Sequence, residues 1–232
     1  MPGRRTVPTG WYNGPVTLDR WTDLRRSYAL AGLQEADLAP DPASQLSSWL
    51  DDVVAADLPE PNAMVVATAD ARARPSVRYV LLKGLDERGL VFYTSYDSAK
   101  GADLAANPVA SVLFPWHPLE RQVRITGPVR KIDTADSEAY FSSRPYGSQI
   151  GAWSSRQSQP AGSRAELDAA YESFADRFPA GSSVPLPEFW GGYRVAIETA
   201  EFWQGRVNRL HDRLRYRRGG TGTDWVVERL WP

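Results

Sequence analysis

The chain has 232 residues, with 27 basic and 28 acidic side chains and no cysteine. The lack of cysteine excludes disulfides, thiolate nucleophiles and cysteine-ligated metals, and two histidines far apart in sequence make no metal-ligand motif. A net charge of −1 argues against a nucleic-acid binder, and no apolar run is long enough for a membrane span. We therefore expect a cytoplasmic protein without a metal site, whose redox chemistry, if any, uses a bound organic cofactor.

The amino-terminal part of the sequence predicts a lead-in followed by two helices. Residues 1–16 are rich in Pro, Gly and Thr without a hydrophobic period, so we expect a mobile lead-in before a single domain over residues 17–232. Apolar residues at helical spacing from Leu18 predict a helix that ends at Gly32. A second helix is predicted from the cap Asp41. Its expected buried side carries Leu46, Trp49, Leu50, Val53 and Val54.

The middle of the chain changes to short segments rich in β-branched and aromatic residues, separated by turn formers, which predict strands. These segments are AMVVATA (63–69), SVRYVLLKG (76–84), LVFYTS (90–95), VASVLFPW (109–116) and RQVRITGPVRKI (121–132). Closely spaced strands of this kind favour an antiparallel barrel or sandwich over a parallel sheet. The expected fold class is mainly β with flanking helices.

Helices are predicted to interrupt and follow these strands. One begins after the cap Ser98, one follows Thr134, and one runs from Ser163, where Glu166 completes a capping-box pattern, to Phe178. The segment 142–158 between them is expected to be too irregular for core packing. Strands are predicted to return at YRVAIE (193–198), EFWQ (201–204) and WVVERLW (225–231).

The segment RVNRLHDRLRYRR, residues 206–218, gathers six arginines and one histidine in a chain without a basic excess. A strand over residues 208–217 would bring alternate side chains to one face, whereas a helix would scatter them. The first face would carry Arg209, His211, Arg213, Arg215 and Arg217, and the second Leu210, Asp212, Leu214 and Tyr216. The first face could meet an anion, or it could be a solvated edge that discourages aggregation.

Other basic and polar residues are suited to phosphate groups. Lys100 lies in the first turn of a predicted helix, where free backbone N–H groups favour anions, and two cations flank the strand at 76–84. The candidates are Arg78, Lys83, Lys100, Arg144, Ser148 and Ser158. Together they predict two phosphate sites, which a flavin mononucleotide (FMN) and a phosphorylated substrate would fill.

Eight motifs in the same order resemble those of the pyridoxine/pyridoxamine 5′-phosphate oxidase family, from about Leu24 to the carboxyl terminus. They are LRRSY, PNAMVVAT, VRYVLLKG, GLVFYTSY, LFPWHPLERQVRITG, YFSSRPYGSQIGAWSSRQS, FWGGYRV and EFWQGRVNRLHDRLRY. The resemblance implies an FMN-binding split β-barrel that forms a homodimer with FMN between the subunits. It also implies oxidation of pyridoxamine or pyridoxine 5′-phosphate to pyridoxal 5′-phosphate, with O2 as acceptor and H2O2 as product.

The same resemblance implies the site residues. Those expected at the cofactor are Arg78, Val80, Leu81, Leu82, Lys83, Tyr93, Thr94, Lys100, Gln122, Gln157, Ser158, Trp203 and Arg213. Those expected at the substrate are Arg25, Arg26, Tyr28, Lys83, Tyr140, Arg144, Ser148, Arg209 and His211, the last two as catalytic residues. One departure is Ala99, where many members carry a second basic residue, so slightly weaker FMN binding is expected.

Two questions stay open at the level of sequence. His211 could transfer a proton or only position the substrate, because an imidazole titrates near neutral pH. The scaffold is also similar to flavin oxidases of phenazine biosynthesis, and a flavin or pyridoxal phosphate carrier without catalysis is a further alternative. The pairing of RPYGSQIGAW with RLHDR favours the vitamin B6 substrate.

Overall fold

The structure is a computed structural model that describes residues 27–220 and 224–232. The expected lead-in and most of the first predicted helix lie outside these ranges. Residues 27–32 are not helical, so the prediction of a helix that ends at Gly32 is wrong for its last turn. The first regular element in the described ranges is a 3-10 turn, Glu35–Asp37.

The fold is an antiparallel split β-barrel with five flanking helices. Its strands are β1 (Ala63–Ala69), β2 (Pro75–Leu81), β3 (Gly84–Asp86), β4 (Gly89–Ser95), β5 (Val109–Trp116), β6 (Arg121–Lys131), β7 (Trp190–Val195), β8 (Thr199–Gln204), β9 (Asp212–Arg218) and β10 (Trp225–Arg229). Its helices are α1 (Pro42–Ala55), α2 (Ala99–Ala106), α3 (Thr134–Ser143), α4 (Tyr146–Ser154) and α5 (Arg164–Arg177). Within the described ranges, no helix has both the length and the apolar character needed to cross a membrane.

Strand β6 joins the two parts of the sheet. Along one edge it pairs with β8 through residues 121–126 and with β7 through residues 129–131. The chain passes from β7 to β8 directly over Gly127, where an added Cβ atom would lie 1.9 Å from the Ala196 carbonyl oxygen. Glycine is required at this crossing because any side chain would collide with backbone. The main path of neighbouring strands in the sheet is β10-β9-β8-β6-β5-β1-β2. A branch leaves β6 through β7, which pairs with β4, and β4 pairs with β3.

Local sequence explains the helix starts. The Asp41 carboxylate accepts hydrogen bonds from the first-turn N–H groups of α1, and the Ser98 and Ser163 hydroxyls do the same for α2 and α5. The buried side of α1 carries Leu46, Trp49 and Val53 as predicted. Val54 is 61% exposed, so its predicted burial is wrong.

Two clusters of buried side chains hold the elements together. The larger cluster fills the interior of the curled sheet, from Val66 and Phe92 to Phe202 and Tyr216. The smaller one lies under the helices and contains Phe141, Ile150, Ala152, Val184 and Trp190. The segment 142–158, expected to be irregular, contains helix α4 and sends Ile150 into this second cluster. Pro145 and two glycines hide the helical period of α4 in the sequence.

The arginine-rich segment is only partly a strand. β9 begins at Asp212, and its residues Leu214 and Tyr216 are fully buried, as the alternation predicts. Arg209 instead ends a 3-10 turn, Val207–Arg209, with a φ of 60°, and Leu210 is 67% exposed. The prediction that residues 208–211, including Arg209 and His211, belong to the strand is therefore wrong, because the left-handed backbone at residues 208 and 209 breaks the alternation.

Gly127→Ala tests the role of the crossing. We expect the free energy of unfolding to fall by about 1–3 kcal/mol, because the new methyl group must displace the backbone between β7 and β8. Gly151→Ala is the matched control, since its Cβ meets no atom within 4 Å and it lies in helix α4. In this control the free energy of unfolding, measured by urea unfolding, should rise by about 0.5–1 kcal/mol. Equal stability of the two variants would contradict the steric argument.

Candidate functional site

A cavity of about 650 Å³ opens between the sheet and the helices. Its walls come from edge strand β2, from β4, from the amino terminus of α2 and from the carboxyl end of α3. The lining residues are Ser76, Val77, Arg78, Tyr79, Val80, Leu81, Lys83, Tyr93, Thr94, Ala99, Lys100, Tyr140, Arg144, Gln157, Ser158 and Trp190. Four of these are cations and none is an acid, so the cavity is suited to an anion.

Lys100 is the most deeply buried cation of the cavity, with 7% of the residue exposed. Its Nζ donates hydrogen bonds to Thr94 Oγ1 at 2.9 Å and to Gln157 Oε1 at 2.7 Å. Burial, and secondly the charge of Arg78, lowers the pKa of Lys100 to about 8. Its hydrogen-bond partners are neutral, so the ammonium is left without a counter-charge that a bound anion could provide.

Arg144 forms the second cationic point. Its guanidinium carbon lies 4.7 Å from the centre of the Trp190 ring, and burial lowers its pKa. Among the residues that the structure describes, its buried Nη1 has no hydrogen-bond partner, which is costly for a charged donor. Trp190 also stacks on Tyr93, with ring centres 5.6 Å apart, and Tyr93 stacks on Tyr140 at 3.9 Å. The stacked rings of Trp190, Tyr93 and Tyr140 therefore form a wall beside the Arg144 guanidinium, whose Nη1 has no hydrogen-bond partner in the described part of the chain.

Arg78 approaches the cavity from strand β2. Its Nη1 donates to Thr68 Oγ1 at 2.6 Å, and its Nη2 lies 3.7 Å from the Asp103 carboxylate. Lys83 follows the end of β2 and is exposed. A smaller cavity of about 240 Å³ shares Arg144 and Gln157 and brings in Ser148. These residues place polar groups around both ends of the cavity.

A second group of predicted residues surrounds the start of β9. The ring of Trp203 lies 4.6 Å from that of His211, and Tyr28 lies 5.8 Å from each, measured between ring centres. We call these three residues the ribbon cluster. Gln122, Trp203 and Arg213 are opposite one another across β6, β8 and β9, so they face the same side of the sheet.

Hydrogen bonding and charge define the state of His211. The Arg206 backbone N–H donates to His211 Nδ1 at 3.1 Å, so Nδ1 is unprotonated and the neutral ring carries its proton on Nε2. Burial, and secondly the charge of Arg209, lowers the pKa of His211. At neutral pH His211 is therefore a hydrogen-bond donor through Nε2.

Arg213 is held by a buried acid. Its Nε donates to Glu201 Oε1 at 2.7 Å, and its Nη1 donates to the Trp231 carbonyl at 2.8 Å. Glu201 is 4% exposed and also forms an ion pair with Arg124. These contacts fix the guanidinium plane of Arg213 at the surface of the segment formed by residues 206–218 and strand β10, which we call the ribbon.

The predicted site residues thus form two groups within one chain. Around the larger cavity lie Arg78, Val80, Leu81, Lys83, Tyr93, Thr94, Lys100, Tyr140, Arg144, Gln157 and Ser158. Outside its lining lie Tyr28, Gln122, Ser148, Trp203, Arg209, His211 and Arg213. The Leu82 residue is 7% exposed in the main core and is also outside the lining. Arg25 and Arg26 lie outside the described residues.

Comparison with known proteins identifies the family. Residues 50–177 match the family described as "Pyridoxamine 5'-phosphate oxidase", and residues 190–232 match its "C-terminal dimerisation region". The pyridoxine/pyridoxamine 5′-phosphate oxidase of Streptomyces avermitilis is 55% identical over 90% of this chain and 95% of that protein. The enzyme of the same name from Salinispora arenicola is 54% identical over the same shares. The chain belongs to the pyridoxine/pyridoxamine 5′-phosphate oxidase family.

Solved structures agree with this assignment. PhzG from Burkholderia lata, in complex with tetrahydrophenazine-1-carboxylic acid, is 29% identical with a TM-score of 0.82, over 89% of this chain and all of that one. An FMN-binding protein from Nostoc punctiforme is 18% identical with a TM-score of 0.68, over 84% of this chain and all of that one, and supports the fold. Membership of this oxidase family makes the chain an oxidoreductase, and its carboxyl-terminal part is the family's dimerisation region.

Sequence reasoning missed several residues that shape the site of this family member. Ser76, Val77 and Tyr79 line the cavity because β2 is an edge strand, which a sequence pattern does not reveal. Trp190 lies in the FWGGYRV motif, from which no role for it could be predicted, although its ring supports Arg144. The buried Glu201 gives a usable signal, since an acid in an apolar strand usually has a cationic partner.

The burial of Lys100 predicts that its charge lowers the free energy of unfolding of the FMN-free protein, by an amount that depends on pH. Below pH 8 the amine is charged in both folded and unfolded chains, whereas above its ordinary value of 10.5 it is neutral in both. Wild-type stability should therefore gain from this group as pH rises from 8 to 10.5. We expect Lys100→Met to be more stable by roughly 1–3 kcal/mol at pH 7, with the advantage shrinking toward pH 10. Urea unfolding at pH 7 and at pH 10 measures this difference in the free energy of unfolding. The same difference at both pH values would contradict the prediction.

Proposed function

We propose that this protein uses FMN to oxidise pyridoxamine or pyridoxine 5′-phosphate to pyridoxal 5′-phosphate, with O2 as acceptor and H2O2 as product. The observation that carries the proposal is the cavity, where the buried Lys100 and the half-buried Arg144, whose Nη1 is buried, lack the counter-charge that phosphate groups would supply. Relatives more than 50% identical over 90% of the chain carry this activity in their names. The cytoplasmic location and the single domain over residues 17–232 stay predictions.

The residues of the cavity fit FMN. An anion beside Lys100 and Arg78 would offset the buried charge, and the aromatic side chains and the free edge of β2 offer contacts to a flat ring. The proposed FMN ligands are Arg78, Val80, Leu81, Leu82, Lys83, Tyr93, Thr94, Lys100, Gln122, Gln157, Ser158, Trp203 and Arg213. The volume of about 650 Å³ is within the range of cofactor and ligand sites. Ala99 adds no charge to this lining, so the weaker FMN binding expected from the sequence stays a prediction.

Arg144 is the best candidate for the substrate phosphate. Its unpartnered Nη1 would gain a charge-assisted hydrogen bond, and Lys83, Tyr140 and Ser148 would complete the phosphate site. Fixing the phosphate removes most of the translational freedom of the substrate, so the oxidation becomes effectively intramolecular. When bound, the flavin supplies the two-electron acceptor for this oxidation.

The residues of the carboxyl-terminal part would orient the pyridine ring. Because His211 Nδ1 accepts the Arg206 N–H, its Nε2–H can donate to a substrate oxygen or to a lone pair on nitrogen. A base at Nε2 would first require the other tautomer, which breaks this bond. We therefore assign His211 and Arg209 to positioning the substrate, with Tyr28, Arg25 and Arg26 closing over it.

A homodimer explains how two separate groups can make one site. We infer that the ribbon cluster of one protomer meets the cavity of its partner, so that FMN lies between subunits. Support comes from the match of residues 190–232 to a dimerisation region. Two apolar side chains of β2 are largely exposed in the single protomer, Val77 by 65% and Tyr79 by 69%, and contact with a partner protomer would bury them.

The deciding experiment is an absorption spectrum of the purified protein, followed by anaerobic addition of pyridoxamine 5′-phosphate. We expect flavin bands that bleach on addition and return with O2. In the Arg144→Met variant the substrate concentration for half-maximal bleaching should rise about 10- to 100-fold, because one buried charged hydrogen bond is lost. Arg164→Met is the matched control, since Arg164 is exposed on α5 and pairs with Asp168. A protein that carries flavin but never bleaches would overturn the proposed activity.

Hybrid dimers test whether the site spans two protomers. Arg144→Met damages the cavity and Arg209→Leu damages the ribbon, so each homodimer should lose most of its activity when the substrate concentration is below the wild-type KM. In a dimer with one copy of each, only a site shared between protomers recovers an undamaged cavity facing an undamaged ribbon. Random 1:1 mixing by co-expression should restore about one quarter of wild-type oxygen uptake. A site built within one protomer predicts no recovery.

A second candidate function is the oxidation of a phenazine precursor. It is favoured by the likeness to PhzG, at 29% identity and a TM-score of 0.82. The proposed phosphate site around Arg144, with Lys83, Tyr140 and Ser148, offers more hydrogen-bond donors than one carboxylate can use, which favours the phosphorylated substrate. Oxygen uptake with tetrahydrophenazine-1-carboxylic acid and with pyridoxamine 5′-phosphate separates the two functions.

A further inference from the structure

Glu120 is a buried acid at the turn between β5 and β6, with 3% of the residue exposed. Its Oε2 accepts hydrogen bonds from the backbone N–H groups of Ala29, at 2.9 Å, and Leu30, at 3.0 Å. Its backbone carbonyl accepts a third from the Gly205 N–H at 2.7 Å. Glu120 therefore joins the amino-terminal segment to the end of β8, over about 90 residues of sequence.

Residues 27–31 depend on such contacts because they have no regular secondary structure of their own. Their neighbours continue the same attachment: Arg206 Nη1 donates to the Ala31 carbonyl at 3.3 Å, and the Leu33 N–H donates to Asp212 Oδ2 at 3.1 Å. A segment held by a few side-chain bonds loses its position when its main acceptor is removed.

The position of Tyr28 follows from this attachment. Its ring lies across the ribbon cluster, 5.8 Å from His211 and from Trp203. The ring also occupies the space above Gly205, where an added Cβ atom would be 2.8 Å from Tyr28 Cγ and 3.0 Å from Glu120 Cβ. Glu120 and Gly205 together thus define the place where Tyr28 packs.

We propose that Glu120 is a positioning residue for the substrate site: by binding the N–H groups of residues 29 and 30, it holds Tyr28 against His211. This inference rests on the proposed function for its catalytic consequence. Its structural part, the packing of Tyr28 on His211, can be tested without any substrate. Glu120 acts through Tyr28 and is not itself a catalytic residue.

Steady-state kinetics of the FMN-loaded enzyme test the consequence. Glu120→Ala should raise KM for pyridoxamine 5′-phosphate about tenfold, with kcat changed less than about threefold, because a wall of the binding site is lost. Glu120→Gln should keep KM near wild type, since both bonds go to a single oxygen that the amide retains. A KM for Glu120→Gln as high as that for Glu120→Ala would overturn the hydrogen-bond argument.

Asp37→Ala is the matched control for Glu120→Ala. The Asp37 carboxylate also accepts a backbone N–H, that of Gln34 at 2.9 Å, on the same segment of chain but away from Tyr28. This control should leave KM unchanged. An equal rise in KM for Asp37→Ala would mean that general loosening of the segment is responsible, and would overturn the specific role of Glu120.

Histidine NMR of the FMN-loaded enzyme, without substrate, tests the packing directly. The chain has only His117 and His211, so ¹³C-labelled histidine gives two signals to assign. In Glu120→Ala the pKa of His211 should rise toward its ordinary value as Tyr28 leaves and burial decreases. The charged groups near His211, namely Arg206, Arg209, Asp212 and Arg229, are unchanged in this variant. An unchanged titration would overturn the proposal even if the oxidase activity is confirmed.

A double-mutant cycle separates the role of Tyr28 from a loss of stability. If Glu120 acts through Tyr28, KM of Tyr28→Ala combined with Glu120→Ala should equal that of Tyr28→Ala alone, within about twofold. Additive effects would overturn the proposal. Should Glu120→Ala fail to fold, Gly205→Ala is the second route, because its methyl group displaces Tyr28 while the Glu120 carboxylate remains. It should raise KM about tenfold, and a wild-type KM would overturn the proposal.

Discussion

The crossing at Gly127 is the constraint on which the rest of the structure depends. Because β6 pairs with β7 and then β8 along one edge, the chain must pass over β6 where no side chain is tolerated. The β7 side leads through β4 to Thr94, Trp190 and the cavity. The β8 side leads to Trp203 and the ribbon. The crossing thus separates the β4–β7 wall of the cavity from Trp203 and the ribbon within one protomer, while β2 reaches the cavity through β5 and β1.

The two groups differ in how their charges are balanced. Around the cavity, Lys100 has neutral partners and Arg144 keeps a buried Nη1 without one, so folding leaves electrostatic energy that a ligand can recover. In the ribbon, arginines are matched by acids: Arg213 by Glu201, and Arg215 and Arg217 by Glu228. The cavity is therefore poised for anions, whereas four of the six arginines in residues 206–218 already contact acids, which they share with other arginines.

Much of the fold could be predicted from the sequence. Strands such as Ala63–Ala69 and Val109–Trp116 match their predicted bounds, because alternation in a half-buried sheet is a strong local signal. Helix α4 was missed because Pro145, Gly147 and Gly151 mask its period. The turn at Arg209 was missed because arginine rarely adopts a left-handed backbone, and Asn208 before it, a residue type that does so more often, is only a weak signal. Single-chain patterns also cannot tell which protomer supplies each part of a site, so the separation of His211 from the cavity had to come from coordinates.

The ion pairs of the ribbon explain why a chain of net charge −1 gathers six arginines in residues 206–218. Arg206 and Arg229 both contact the Asp212 carboxylate, which also accepts the Leu33 N–H. Asp212, which pairs with these arginines, therefore also attaches the amino-terminal segment to the ribbon. Glu120 attaches the same segment a few residues earlier in the chain, at residues 29 and 30. A run of arginine that could be taken for a polyanion-binding arm is better understood as one side of an acid-base framework, which fixes where Tyr28 and His211 meet.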